Sequence, residues 1–286
     1  MATLPPILVV NLDRDCARLE HMRVQLGHLR LPFLRVPGVL GDDVPATLKA
    51  NFFDDAGRKV SHLKRGEIGC YASHLAIYQR MIAGEFGQAA IVLEDDIEIA
   101  ADFAAVLVEA LRVLPKSWDL VRLSNVPKRA YVPVVPLLGA RDLAIYSKIP
   151  NSTGAYLISI DGARKLIGPR RRQRAIDNDL QRGFEFELTT FGVVPAPVKP
   201  DVFTSTIDAL EGGRLDKTLR KSILRRQGWQ PRKTLQQIVA NWRALGPTRW
   251  AGCLAVNGAN RLGRRVGAAS ILPKAARWMA LRKTVT

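Results

Sequence analysis

The chain has 286 residues, 47% of them hydrophobic, enough to build one large domain, or one domain with an appendage, around a sizeable core. Its net charge is +17, and its three cysteines, Cys16, Cys70 and Cys253, are odd in number and far apart, which argues against a disulfide framework or a zinc ribbon and fits a reducing compartment. No run of about 18 apolar residues occurs, so no membrane span is expected.

From the start, the short apolar run at residues 4–10 lacks a basic flank and leads into Asn11-Leu12-Asp13-Arg14, which reads as a first strand and not as a signal peptide. Residues 14–29 carry Leu19, Met22, Leu26 and Leu29 at helical spacing, and residues 32–39 suit a second strand. Ile68, Tyr71, Ala72, Leu75, Gln79 and Ile82 form the next helical stripe, ended by Gly84 and Gly87. A strand at residues 90–94 follows, then a helix for which Asp102 is the candidate cap, then a strand at residues 118–123. Residues 126–150 hold four prolines and read as a long loop or a pair of irregular strands. A strand from residue 155, a helix at residues 161–167 capped by Asp161, and a last strand at residues 191–194 complete an alternation of βα units. The expected class is α/β, a mostly parallel sheet flanked by helices, over residues 1–211.

Residues 212–286 differ in kind. They carry 17 Lys and Arg against one acid, Asp216, a net of +16, while residues 1–211 hold the other 26 basic and 25 acidic residues, a net of +1. Trp229, Trp242, Trp250 and Trp278 lie there too, among short helical stretches broken by Gly and Pro. Basic residues interleaved with Trp and Leu suit an anionic membrane surface. Nucleic acid would feel the same charge, but no recognition motif is present, and a solvated tail is the plain alternative.

The apolar run Ala90-Ile91-Val92-Leu93 stops in three acids, Glu94, Asp95 and Asp96. Adjacent carboxylates repel one another unless a cation lies among them, and ligands of open α/β sheets bind beyond the carboxyl ends of strands. Side chains two apart on a strand share a face, so Glu94 and Asp96 are candidate ligands of Mg²⁺ or Mn²⁺, with Asp95 turned elsewhere. The competing reading is that these acids only end a strand. Arg14 and Arg18, four apart, can reach one side together and contact a diphosphate, or can simply be solvated. His74, two turns after Glu67, can line the same pocket or pack as a structural histidine.

Four segments, in order over residues 5–207, resemble glycosyltransferase family 25, the bacterial lipooligosaccharide galactosyltransferases and relatives. They are Val10-Asn11-Leu12-Asp13-Arg14 with Arg18; Gly66-Glu67-Ile68-Gly69-Cys70-Tyr71-Ala72-Ser73-His74; Leu93-Glu94-Asp95-Asp96; and Thr153-Gly154-Ala155-Tyr156 followed by Ile176-Asp177-Asn178-Asp179-Leu180. The resemblance implies a GT-A-like fold, a UDP-sugar donor, a divalent metal, and inverting transfer to a sugar hydroxyl in lipopolysaccharide or related surface glycan synthesis. Galactose is the donor sugar expected, with glucose and others open. Under it, Glu94 and Asp96 hold the metal, and Asn11, Arg14, Arg18, His74 and Asp95 contact the donor. Inversion needs a base on the acceptor hydroxyl. Asp177 is the first candidate, with capping of the helix near Asn178 as its rival role, and Asp179 is the second or binds acceptor hydroxyls. All four histidines precede the acids, so a late third ligand would have to be a donor phosphate, water, Asp201 or Asp208. The expected setting is the cytoplasmic face of the bacterial inner membrane, with the basic tail on the lipid. A nucleic-acid-binding protein acting through its tail and a metal-dependent phosphoester hydrolase remain as alternatives.

Overall fold

A computed structural model of the protein describes residues 4–199, 231–265 and 270–279. Asp201, Asp208, Asp216, Trp229 and the expected domain boundary at residue 211 lie outside them. The first part alternates strands and helices: β1 (Ile7–Asn11), α1 (Cys16–His28), β2 (Leu34–Pro37), α2 (Ala46–Lys49), α3 (Arg65–Ile82), β3 (Ala89–Glu94), β4 (Glu98–Ile99), α4 (Phe103–Val113), β5 (Leu120–Arg122), β6 (Tyr131–Leu137), β7 (Arg141–Tyr146), β8 (Ala155–Ser159), α5 (Ile160–Ile167), α6 (Ile176–Gln181), β9 (Thr190–Val194) and β10 (Val198–Lys199).

Eight strands form one sheet in the order β2-β1-β3-β8-β5-β9-β7-β6, and β4 pairs with β10 beside it. The pairings run β1, β2, β3, β5, β9 and β6 in one direction and turn only β8 and β7 the other way. The expected mostly parallel α/β sheet is therefore the fold, with reversed strands inserted in its middle and near one edge.

Alternation along each strand divides the core in two. Leu8, Val92, Tyr156 and Ile158 face α3, α5 and α6, whereas Ile7, Val9, Ile91, Leu93 and Leu157 face Met22 and Leu26 of α1 and Phe103, Val106 and Leu107 of α4. Strands buried on both faces read as unbroken apolar runs, which is the pattern of residues 90–93.

Three local expectations change. The stripe on α3 is wider than its periodicity suggests: Ile77, Tyr78 and Met81 are buried while Ile82 is exposed, because the helix packs on α2, α5 and α6 as well as on the sheet and is covered on more than one face. Asp161 does not cap α5; Ser159 does, its Oγ accepting from the Gly162 N–H at 3.0 Å. Asp102 stands at the start of α4, but its carboxylate takes both arms of Arg141, at 2.8 and 2.9 Å, in place of helix N–H groups. Of the two readings of residues 126–150, the pair of irregular strands is the one found: most of them form the β6–β7 hairpin, with an irregularity between Pro133 and Val135 where a proline interrupts the ladder.

The basic tail forms three helices, α7 (Pro231–Leu245), α8 (Pro247–Arg265) and α9 (Leu272–Met279). They fold back on the hairpin. Leu245, Cys253 and Leu272 are buried against Ala130 and Val132, and Ala276 against Tyr131 and Tyr146. Asn257 accepts the Ala130 N–H at 2.7 Å and donates to Ser147 Oγ at 3.2 Å, while Asn241 donates to the Ser147 carbonyl at 3.0 Å. The tail thus covers the β6 edge of the sheet, an edge that would otherwise leave backbone groups unpaired. No helix among the described residues is long and apolar enough to cross a membrane.

Candidate active site

A cleft of about 380 Å³ opens beyond the carboxyl ends of β1 and β3. Its walls include Asn11, Arg14, Arg18, Cys70, His74, Glu94, Asp95 and Asp96. All seven sequence-predicted metal and donor residues therefore meet in one place, and their roles in it divide.

The three acids are not equivalent. Asp95 turns back toward β1, accepting from Asn11 Nδ2 at 2.7 Å and from Arg18 at 3.0 Å, and Arg18 also stands 3.6 Å from Asp96. Part of the cation that three adjacent carboxylates require is thus supplied by the protein itself. Burial pushes the Asp95 carboxyl up, and these partners offset that only in part. Asn11 is wholly engaged: besides Asp95 it donates to the Asp15 carbonyl at 3.0 Å and accepts from Arg35 Nε at 3.0 Å. It organises the end of β1 and shapes the cleft. Arg14 precedes α1 and lines the cleft with no ion pair or hydrogen bond among the described residues. That leaves a guanidinium for an anionic guest.

Glu94 is turned away from Arg18 and toward α3, where its Oε1 lies 3.7 Å from His74 Nε2 and 4.0 Å from Cys70 Sγ. Burial raises its carboxyl, but His74, Thr153 and Arg122 outweigh that and hold it below the usual carboxylate range. It is ionised at neutral pH. With Asp96 it offers hard oxygen donors to the cleft, the set that suits Mg²⁺ or Mn²⁺ bound by one or two carboxylates and completed by a ligand's phosphates.

The loop after β2 closes the cleft against the start of α3, and here the second motif explains itself. Glu67 accepts the Lys64 N–H at 2.9 Å and so ties down the helix N-terminus. Gly69 packs so closely on the Val39 carbonyl and the Gly41 N–H that a Cβ there would overlap them. Ser73 accepts the Val39 N–H at 2.8 Å and donates to the Gly69 carbonyl at 2.8 Å. His74 reaches the other way: its Nδ1 meets the Tyr156 hydroxyl at 2.6 Å.

Asp177, at the start of α6, and Asp179 are not among the residues that line the cleft, although Asp177 is near enough for the charge of Glu94 to bear on it. Asp177 does not cap that helix, which begins one residue earlier at Ile176. Its Oδ1 accepts from the Asn178 N–H at 2.6 Å and its Oδ2 from Asn151 at 2.6 Å. Burial raises its carboxyl above the usual range; the hydrogen bonds oppose that, and the negative charge of Glu94 adds to it. Asp179, by contrast, is buried under α6 with both oxygens committed, to Tyr71 at 2.8 Å and Arg174 at 3.0 Å. Its burial and its ion pair with Arg174 suit fastening.

Sequence reading missed Arg122, a fully buried arginine at the end of β5. It donates to the Ser152 carbonyl, and its charge bears on both Glu94 and Asp177. A basic residue closing the apolar stretch Leu120-Val121 was the available signal. Asn151 and Tyr156 carried none, because their partners are far away in the chain.

A sequence profile described as glycosyltransferase family 25 (LPS biosynthesis protein) matches residues 4–179. Among curated proteins, the chain is 29% identical over 174 residues to procollagen galactosyltransferase 1-B of Xenopus laevis, covering 56% of this chain and 28% of that protein. It is 29% identical over 197 residues to the probable inactive glycosyltransferase 25 family member 3 of Bos taurus, covering 63% and 31%. The aligned part thus spans under a third of those relatives' length. Among solved structures, a glycosyltransferase involved in glycosylation of the major capsid of PBCV-1 is similar at a TM-score of 0.30 and 8% identity, over 62% of this chain and 65% of that one.

Proposed function

The chain belongs to glycosyltransferase family 25, and from that premise we propose that it is an active, inverting transferase that moves a hexose, galactose first, from a UDP-sugar to a glycan hydroxyl. Since relatives described as inactive match as well as those described as galactosyltransferases, membership does not carry the activity. The observation that carries it is an acidic cleft at the strand ends, with Asp177, a carboxylate of raised pKa, near enough to feel the charge of Glu94.

Arg14 binds and orients the diphosphate, while Arg18 keeps Asp95 and Asp96 from repelling each other before the donor arrives. Glu94 and Asp96 would hold Mn²⁺ or Mg²⁺, which supplies neutralisation of the negative charge that develops on the departing nucleoside diphosphate. Asp177 takes the proton of the acceptor hydroxyl. Asn151 and the Asn178 N–H hold its two oxygens in place, so that its position is set before the acceptor enters. A base with a pKa nearer neutrality accepts that proton more readily than an ordinary aspartate.

The acceptor is a sugar of a lipopolysaccharide or another lipid-linked glycan, worked on at the cytoplasmic face of the inner membrane. Support comes from the tail, where Leu235, Ile238 and Trp242 remain exposed along one side of α7 beside the exposed Arg243. Such a face suits an anionic lipid surface. Because the tail also covers the hairpin, deleting it would damage the fold; Trp242→Ala with Leu235→Ala is the cleaner test, expected to weaken binding to anionic vesicles without slowing turnover of a soluble acceptor.

The decisive measurement is a screen of UDP-sugars with Mn²⁺, scoring sugar transfer and donor hydrolysis in the wild type and in Asp96→Ala. Transfer lost in the variant supports the reading. Salt-steep RNA or DNA binding without donor use would favour a nucleic-acid role, and phosphate release from simple esters would favour a hydrolase.

A further inference from the structure

Cys70 and His74 lie four residues apart on α3, so both side chains leave the helix on one face. β3 brings Glu94 to that face. His74 Nε2 is 3.7 Å and Cys70 Sγ 4.0 Å from the same carboxylate oxygen, and the three ligand atoms all fall within 4.8 Å of one another. Among the described residues this is the one trio of Cys, His, Asp or Glu side chains gathered so closely. The imidazole is held from behind: its Nδ1 meets the Tyr156 hydroxyl, which in turn meets the Tyr78 hydroxyl at 2.9 Å. Metal-binding histidines are commonly oriented in this way through the other ring nitrogen. Nε2 is left buried with no hydrogen-bond partner, aimed at Glu94 and Cys70. A buried polar atom in that condition is destabilising, and an ion among the three donors would remove the penalty.

We infer that Cys70, His74 and Glu94 form a binding site for a thiophilic divalent cation, with Zn²⁺ the ion its donors suit. One sulfur, one imidazole nitrogen and one carboxylate oxygen are the ligand types of zinc, whereas Mg²⁺ and Mn²⁺ prefer oxygen throughout. Tetrahedral zinc needs donors about 3.4–3.6 Å apart, given bond lengths of about 2.0–2.3 Å. The two separations to Glu94, 3.7 and 4.0 Å, exceed that by tenths of an ångström and all three atoms lie within 4.8 Å of one another, so side-chain rotations would draw the donors together. The fourth corner opens on the cleft, to water or to an anionic oxygen. As the ion binds, the thiol proton leaves to solvent and the thiolate takes its place on the metal. Glu94 is shared with the oxygen-ligated cation proposed above, so the two ions compete for it, and each lowers the apparent affinity of the other as its own concentration rises.

Cobalt(II) serves as the probe, because four-coordinate Co²⁺ with a thiolate ligand absorbs in the near ultraviolet and strongly in the visible. The full chain, titrated with Co²⁺, should develop both absorptions, lose them to one equivalent of Zn²⁺, and fail to develop them as Cys70→Ser. Cys16→Ser, at an exposed cysteine outside the trio, should keep them. Should Cys70→Ser not fold, the wild type still decides: Zn²⁺ should protect Cys70, but not Cys16, from a maleimide, as mapped by mass spectrometry. A Co²⁺ spectrum without a thiolate band, or equal labelling of Cys70 with and without Zn²⁺, overturns the site. Either result would leave the transferase reading standing, because that reading is tested by donor turnover with Mn²⁺.

Discussion

At the β2-β1-β3 side of the sheet the strands end in polar side chains, Asn11, Glu94, Asp95 and Asp96, which lie around an open cleft with Arg14 and Arg18. At the opposite edge, β7 and β6 meet the tail through Leu245, Cys253, Leu272 and Ala276 and a few neutral hydrogen bonds from Asn241 and Asn257. The strongly basic segment, which looks in sequence like the working surface, is thus in part a structural cover, and the nearly neutral segment holds the clustered charge. Charge summed over a stretch of chain says little about where charge is concentrated in space.

Asp177→Asn should sharpen this contrast most. Loss of the base is expected to lower kcat by roughly 10²–10⁴-fold, with unchanged donor binding by calorimetry and an unchanged thermal midpoint. The wild-type rate should fall as pH is lowered through the raised pKa of Asp177, since only the carboxylate accepts a proton. Stability carries the opposite sign: a carboxylate whose folded pKa is raised favours folding below its unfolded value, and that contribution is lost as pH rises through the folded one. An acid limb no higher than that of an ordinary aspartate would count against Asp177.

Two residues along the chain, Asp179→Ala should behave as a folding variant. It leaves the buried Tyr71 hydroxyl without its acceptor and Arg174 with Glu185 as its remaining partner, a loss of about 2–5 kcal/mol read by urea denaturation. If Asp179→Ala instead keeps its stability and loses only turnover, the division between these two aspartates is wrong. Leu272→Ala acts at the other edge. Its cavity should cost about 2–5 kcal/mol in the tail and hairpin, seen as faster amide exchange in β6, while donor affinity stays as it was. A drop in donor affinity would mean that the two edges are coupled. Smallest is Gly69→Ala, whose added methyl meets the Val39 carbonyl; overpacking of about 1–3 kcal/mol should appear together with weakened donor binding, because it moves the cleft wall.

Much of the first region was legible in the sequence. Apolar runs gave β1, β3 and β8, and the acids at the end of β3 marked the mouth of the cleft, because a strand and the residue that ends it are local features. The motif around Glu67, Gly69 and Ser73 was recognisable as a pattern, but its meaning depends on a loop about 30 residues earlier, held by Ser73 on Val39. Asp161 and Asp102 were plausible caps on local chemistry; Ser159 caps α5 instead, and Arg141 holds the Asp102 carboxylate, through geometry that periodicity does not encode. The hairpin was obscured by its prolines, which an edge next to a covering helix tolerates.

By itself, the sequence determined the alternation of strands and helices, the position of the acidic cluster at a strand end, and the contrast in charge between body and tail. Only tertiary structure decided that Arg18 partners Asp95 and approaches Asp96 while Glu94 turns to His74 and Cys70, that Asp177 is held by Asn151 while Asp179 is fastened to Tyr71 and Arg174, and that the tail closes an edge of the sheet. The reason is range. Periodicity records which face of an element is buried, but side chains distant in sequence meet only when the sheet order sets its strands side by side, and no spacing along the chain specifies that order.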